Sequence, residues 1–138
     1  MNQVILTFCE KLQPSDWQKM ATETRTVKGV LAHLVGWQRE VSIELLKSMK
    51  PGESPWFVFV EDYDDFNAKI DTEFNAVPPE GLLREFRKWD AELDRQIQSI
   101  GIEKLRERPE AEWVLDKGDD SHFLEHFNQM KKAVDTPA

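Results

Sequence analysis

The feature that most constrains the fold is a long helical hydrophobic pattern from Thr26 to Lys50, which ends at Pro51-Gly52. Each residue advances about 100° around a helix, so one set of side chains falls within about 40° of Val27. This set consists of Leu31, Leu34, Gln38, Val41 and Leu45. The segment therefore predicts an amphipathic helix that buries this stripe.

Apolar residues recur at helical spacing in four other segments, with proline or glycine between them. The predicted helices are a first one before Pro14, one beginning near Glu61, a long one from Pro79 to Gly101, and a last one after the acidic cap Asp119-Asp120-Ser121. The predicted buried face of the first helix consists of Ile5, Phe8, Cys9 and Leu12, and that of the helix near Glu61 consists of Tyr63, Phe66, Ile70 and Phe74. For the helix from Pro79 to Gly101, the predicted buried residues are Leu82, Phe86, Trp89, Leu93, Ile97 and Ile100. For the last helix, they are Phe123, Phe127, Met130 and Val134.

Two segments lack this spacing. Gly52 to Val60 is rich in glycine, serine, proline and aromatic residues, which predicts a crossover loop and allows a short edge strand. Ile102 to Asp116 is interrupted by Pro109 and is predicted to be irregular. Four main helices and one long connection predict an all-α four-helix bundle that occupies residues 1–138 as a single domain.

Charge and hydropathy exclude several classes of partner. The chain has 26 acidic and 18 basic residues and a net charge of −8, without the basic cluster that binding to nucleic acid or anionic lipid requires. No apolar run approaches the about 20 residues that span a bilayer, and the N-terminus lacks the features of a signal peptide. The single cysteine, Cys9, excludes an intrachain disulfide. We therefore expect a cytoplasmic protein with neither nucleic acid nor membrane as a partner.

The three histidines are candidate metal ligands. His122 and His126 are four residues apart, which places both imidazoles on one face of the last helix. His33 lies beside the apolar stripe of the second helix. Three neutral imidazoles from facing helices bind Zn, Ni or a similar divalent ion and leave a position for water or substrate. The alternative is that these histidines are solvated or satisfied by local hydrogen bonds.

Two segments also carry a resemblance to a known family. In the first, from Thr26 to Trp37, an aliphatic pair precedes His33. In the second, His126-Phe127-Asn128-Gln129-Met130 has the form His-x-x-Gln-aliphatic, with His122 one turn earlier. These segments resemble the second-helix and fourth-helix motifs of the DinB/YfiT-like four-helix bundle superfamily. Asp65-Phe66-Asn67 and the helix after it look like the family's third-helix region, so the resemblance covers most of the chain.

The superfamily includes bacillithiol- and mycothiol-dependent S-transferases and maleylpyruvate isomerase domains. The resemblance implies a divalent metal, Zn or Ni, held by His33, His122 and His126, and a homodimeric assembly. It implies a thiol S-transferase or hydrolase that acts on a small molecule in detoxification or stress response, with a low-molecular-weight thiol as cofactor. No thiol-binding motif can be carried over from the family.

Three further residues are candidate substrate contacts. Trp37 lies one turn after His33, and Tyr63 and Asn67 lie one turn apart on the following helix. Core packing for Trp37, and a surface or capping role for the other two, stay open. Two other hypotheses for the protein also stay open. One is a metal-free small-molecule binding or resistance protein of the same fold, and the other is an interaction module that pairs through an exposed patch, Trp56 to Val60.

Overall fold

The computed structural model describes residues 3–48, 55–58, 62–107 and 122–135. Six α-helices lie in these ranges: α1 (Gln3–Glu10), α2 (Val27–Ser48), α3 (Asp64–Phe74), α4 (Pro79–Ile100), α5 (Ile102–Arg106) and α6 (His122–Asp135). Two 3-10 turns, Asp16–Gln18 and Trp56–Val58, lie in the connections. The same ranges contain no strand, only one isolated antiparallel bridge between Met20 and Thr26. The predicted all-α class is confirmed for this part of the chain.

Helix α2 contacts each of the other long helices, α3, α4 and α6. Of its predicted stripe, Leu31, Leu34 and Leu45 are completely buried, and Val41 is half-buried. None of the described helices combines the length and the apolar character needed to cross a membrane.

Side-chain contacts fix the direction of the helices beside α2. Near the start of α2, Lys28 Nζ donates to the carbonyl oxygen of Asn75, just after α3, at 3.0 Å. Farther along α2, Trp37 Nε1 donates to Asn67, near the start of α3. Helix α3 is therefore antiparallel to α2.

Helix α6 is also antiparallel to α2. Lys19, which precedes α2, donates to the carbonyl oxygen of Val134 near the end of α6. Farther along α2, the ring of His33 meets the ring of His126, which lies in the first half of α6. The first half of α6 therefore packs beside the N-terminal half of α2.

The core has a large part and a small part. The large part joins α1, α2, α3, α4 and α6 and includes Cys9, which is 2% exposed. Burial, with a smaller contribution from the charge of Glu10, raises the pKa of the Cys9 thiol to about 12, so this cysteine is a core residue, as its apolar helix face predicts. The small part joins the C-terminal ends of α2 and α4 to α5 through Leu45, Leu93, Ile97 and Leu105.

The structure corrects the predicted buried face of α4 at Trp89. This indole is half-buried, and its Nε1 donates to Glu85 on the same helix while the Lys88 ammonium lies 4.9 Å from the ring centroid. The next residue, Asp90, is buried instead, because Gln38 Nε2 donates to its carboxylate at 2.8 Å inside the core. The helix therefore turns Asp90 rather than Trp89 towards the core, where Gln38 satisfies the buried carboxylate.

Two other predictions about the connections need correction. Residues 56–58 form a 3-10 turn, so the part of the crossover loop that the structure describes is not an edge strand. Ile102–Arg106, predicted to be irregular, forms α5, whose Leu105 is completely buried against the small part of the core. The rest of that irregular segment, 108–116, lies outside the described residues, as does the predicted cap at 119–121.

Helices α2 and α3 approach most closely at Gly36. A Cβ atom on Gly36 would lie 2.4 Å from Cδ1 and 2.5 Å from Cγ1 of Ile70. By contrast, a Cβ on Gly29 of the same helix would meet its nearest neighbour, Arg25 Cβ, at 3.4 Å. Of these two glycines of α2, Gly36 is the one that a close helix crossing requires.

The two glycines make a matched pair for a stability test. Gly36→Ala must push Ile70 aside and should destabilise the fold by about 1–3 kcal/mol, as overpacking of a core does. Gly29→Ala should instead be neutral or stabilise by up to about 1 kcal/mol, because alanine is the better helix former. Urea unfolding followed by circular dichroism measures both changes. Equal effects of the two substitutions would contradict the close approach at Gly36.

Candidate functional site

The structure brings two of the three candidate ligands together. The imidazole rings of His33 and His126 have centroids 4.8 Å apart and planes at 70°. His33 lies on α2 and is 4% exposed, and His126 lies on α6 and is half-buried. Residues that are 93 positions apart in sequence are thus paired across a helix interface.

Gln129 lies beside the ring of His126. Its Oε1 lies 2.7 Å from Nδ1 of His126, one helical turn earlier on α6. With this amide oxygen as the acceptor, the imidazole would donate from Nδ1, and Nε2 would be the basic nitrogen of the neutral ring. A histidine ligand oriented by such a bond presents a defined lone pair to a metal ion.

The surroundings of His126 favour its neutral form. Burial lowers the pKa of this imidazole, and the positive charge of Arg25 acts in the same direction. The hydrogen bond to Gln129 and the charge of Glu125 oppose the shift without reversing it. Neutral imidazole is the form that coordinates a metal ion, so the site is suited to that role near neutral pH.

The separation of the two rings is compatible with a shared ion. Two imidazoles bonded to one zinc ion through nitrogen, at about 2.1 Å and with tetrahedral angles, have ring centroids about 5 Å apart. The observed 4.8 Å is close to that value, and it is also the distance of an ordinary edge-to-face ring contact.

The third predicted ligand is placed only by its backbone. His122 is the first residue of α6, one turn before His126, and its side chain lies outside the described residues. The described side chains contain no group of three or more His, Cys, Asp or Glu suited to a metal ion. A complete three-histidine site, with its Zn or Ni ion, therefore stays a prediction.

The three candidate substrate residues lie in one aromatic cluster around Trp37. The Trp37 ring centroid is 4.6–6.1 Å from four other rings, those of Trp56, Phe57, Tyr63 and Phe66. Its Nε1 donates to Asn67 Oδ1 at 2.9 Å, and the Tyr63 hydroxyl donates to the Phe57 carbonyl oxygen at 2.9 Å. Trp37, Tyr63 and Asn67 are thus brought together: the first bond ties α3 to α2, and the second ties the 3-10 turn to the residue before α3. Tyr63, predicted to lie on a buried face, is 38% exposed, because it precedes the first turn of α3.

This cluster corrects the prediction of an exposed Trp56 to Val60 patch. Phe57 is 9% exposed, and Trp56 is half-buried with its Nε1 donating to Glu40 on α2. These two aromatic side chains face inward because Trp37 and Phe66 offer ring partners there. Residues 59–60 and the side chain of Val58 lie outside the described residues.

The sequence analysis assigned no role to two residues beside His126. Gln129 follows His126 by three positions, and that helical spacing is a signal for a side-chain hydrogen bond. Arg25 precedes α2 and is far from His126 in sequence, so no local pattern relates their charges. The effect of Arg25 on His126 depends on how α6 packs against the start of α2.

Comparisons with known proteins identify no relative of this chain. No protein-family model matches the chain, and searches of curated proteins and of solved structures found no match.

The Gln129 contact predicts the tautomer of His126. Long-range nitrogen–proton NMR correlations should show His126 protonated at Nδ1 in the wild type, and Gln129→Leu should shift the ring towards the Nε2-protonated form because the acceptor is lost. Asn128→Ala, an exposed position on the same helix, is the control and should leave the tautomer unchanged. A wild-type ring protonated mainly at Nε2 would contradict the assignment.

Proposed function

We propose that the chain is a DinB/YfiT-like four-helix bundle in which α2 is the second helix, α3 and α4 form the third-helix region and α6 is the fourth helix. Three observations support this arrangement. Helix α2 contacts α3, α4 and α6, and α3 and α6 are antiparallel to it. The connection between α2 and α3 is long, as in the predicted crossover topology.

We further propose that His33, His122 and His126 hold a divalent metal ion, Zn or Ni. The contact of His33 with His126 carries this proposal, since it brings two imidazoles from different helices close enough to share one ion. Gln129 orients one of them. His122 belongs to the site by its place one turn before His126 on α6.

An ion held by His33, His122 and His126 would lower the pKa of a coordinated water or thiol and so would supply a nucleophile at neutral pH. The chain's own residues supply the setting for that chemistry. His33 is buried in the helix interface and His126 is half-buried, so both are held in place by packing. The aromatic cluster around Trp37 lies one helical turn farther along α2 and forms a rigid wall on that side.

The reaction proposed for this site is thiol S-transfer or hydrolysis on a small molecule, in detoxification or stress response. A low-molecular-weight thiol is the proposed co-substrate, and a cytoplasmic homodimer is the proposed state of the protein. The motifs around His33 and His126 support these assignments through their resemblance to the thiol-dependent transferases. A metal-free binding or resistance protein of the same fold is the alternative.

Elemental analysis tests the metal site. The protein is purified without an affinity tag, analysed as isolated, and analysed again after incubation with Zn or Ni. About one ion per chain is expected, with binding at least about tenfold weaker in His126→Ala and in His33→Leu, as loss of a ligand or its support produces. Asn128→Ala should retain the ion, and circular dichroism checks that each variant is folded.

Two results would contradict the proposal. Stoichiometric metal in a folded His126→Ala variant would show that the ion binds elsewhere. No metal in the wild type after incubation would leave the metal-free binding protein as the better account. In that case, ligand-dependent shifts in thermal unfolding of the metal-free protein would provide its test.

A further inference from the structure

A cleft of about 480 Å³ opens where the first turns of α2 face the C-terminal end of α3. Its lining includes Thr24 and Arg25, which precede α2, and Lys28 and Gly29, which belong to the helix. Asp71 lines the opposite side, on α3. The volume lies within the range of small-molecule sites and exceeds what a single ion requires.

The charge of this cleft is opposite to that of the chain. Arg25, Lys28 and Asp71 are its charged lining residues, which leaves an excess of one positive charge in a protein of net charge −8. The Arg25 guanidinium lies 3.3 Å from the Asp71 carboxylate, longer than the about 2.8 Å of a strong charge-assisted hydrogen bond, and the Asp71 side chain is 47% exposed. The ion pair is therefore a weak one.

Both cations retain capacity to bind an anion. The Lys28 ammonium donates to a neutral acceptor, the Asn75 carbonyl oxygen, at 3.0 Å, and an ammonium has three donors. The Arg25 guanidinium is held at its Nη2 end by the weak contact with Asp71, which an anion can replace, while its Nε is buried and has no hydrogen-bond partner in the part of the chain that the structure describes. A guanidinium and an ammonium on one wall are the groups that recognise carboxylate and phosphate.

The cleft lies one helical turn from His33 along α2. Gly29, which lines it, lies one helical turn before His33 on α2. The positive charge of Arg25 also contributes to the lowered pKa of His126, on α6. Gly29 has no side chain, and a Cβ atom added there would already contact Arg25 Cβ at 3.4 Å. A large side chain at this position would therefore extend into the cleft.

We propose that the cleft binds the oxyanion end of a small-molecule substrate, a carboxylate or phosphate, through Arg25 and Lys28, with the rest of the molecule directed along α2 towards His33 and His126. This assignment names the substrate class of the site proposed above and rests on that proposed function. The oxyanion competes with the Asp71 carboxylate for the Arg25 guanidinium.

Amide NMR titrations of the metal-free, full-length protein test the proposal, with inorganic phosphate and succinate as separate probes at constant ionic strength. Saturable shifts are expected at Thr24, Lys28 and Gly29, and the tighter-binding probe identifies the preferred oxyanion. Lys28→Gln should weaken binding at least about tenfold, as loss of a hydrogen bond between charged groups does. Asp71→Asn should tighten binding, because the competing carboxylate is removed.

Two further variants separate a built site from general charge attraction. Gly29→Leu fills the cleft without a change in charge and should also weaken binding. Lys104→Gln removes one positive charge from the exposed surface of α5 and should leave binding unchanged. The absence of saturable shifts, or equal losses in Lys28→Gln and Lys104→Gln, would overturn the proposal.

Failure of the cleft and failure of the metal site give different results. A repeat of the titration with the zinc-treated protein completes the test. Anion binding without zinc binding contradicts the proposed function and leaves anion recognition by the cleft intact. Zinc binding at His33 and His126 without anion binding contradicts the cleft assignment alone.

Discussion

The complete burial of α2 from residue 30 to residue 38 is the constraint on which the rest of the structure depends. Every residue from 30 to 38 is buried, because α3, α4 and α6 each cover part of this helix. A helix surrounded in this way has no solvent face along that stretch, so each polar side chain within it needs a partner from a neighbouring helix. The close approach of Ile70 to Gly36 is a direct consequence of this enclosure.

The buried stretch contains two polar side chains, and each meets a different neighbour. Gln38 donates to Asp90 on α4, which explains why an amide occupies the apolar stripe and why a carboxylate is tolerated in the core. His33 meets His126 on α6. The first contact has a structural explanation that is complete within the two helices. The second joins two imidazole rings across a helix interface, and imidazoles are metal ligands and proton carriers, so the histidine pair is the better candidate for chemistry.

The sequence predicted the helices well where apolar residues recur at helical spacing and proline or glycine marks the ends of the segment. The long stripe with Pro51-Gly52 after it located α2, and Pro79 with Gly101 located α4 to within a residue. Local pattern could not predict that Asp90 rather than Trp89 faces the core, because that choice depends on Gln38 of another helix. Helix α5 was missed for a similar reason, since its burial depends on a small cluster at the ends of α2 and α4.

The candidate site was predictable in its residue types but not in its assembly. The positions of His33 and His126 beside apolar stripes indicated facing histidines, whereas their contact required the packing of α6 on α2. The role of Gln129 was accessible from its spacing, and the Arg25 cleft was not, because it combines a loop, a helix start and a helix end. The inward packing of Trp56 and Phe57 likewise depends on rings from α2 and α3.

The pairing of His33 and His126 around one ion is tested most directly by NMR of cadmium-113-loaded protein that carries nitrogen-15-labelled histidine. Scalar coupling between the metal and a ligand nitrogen identifies each coordinating atom. The predicted result is one cadmium ion coupled to Nε2 of His126 and to a ring nitrogen of His33. A bound cadmium ion without coupling to either ring, or coupling to Nδ1 of His126, would contradict the proposed site.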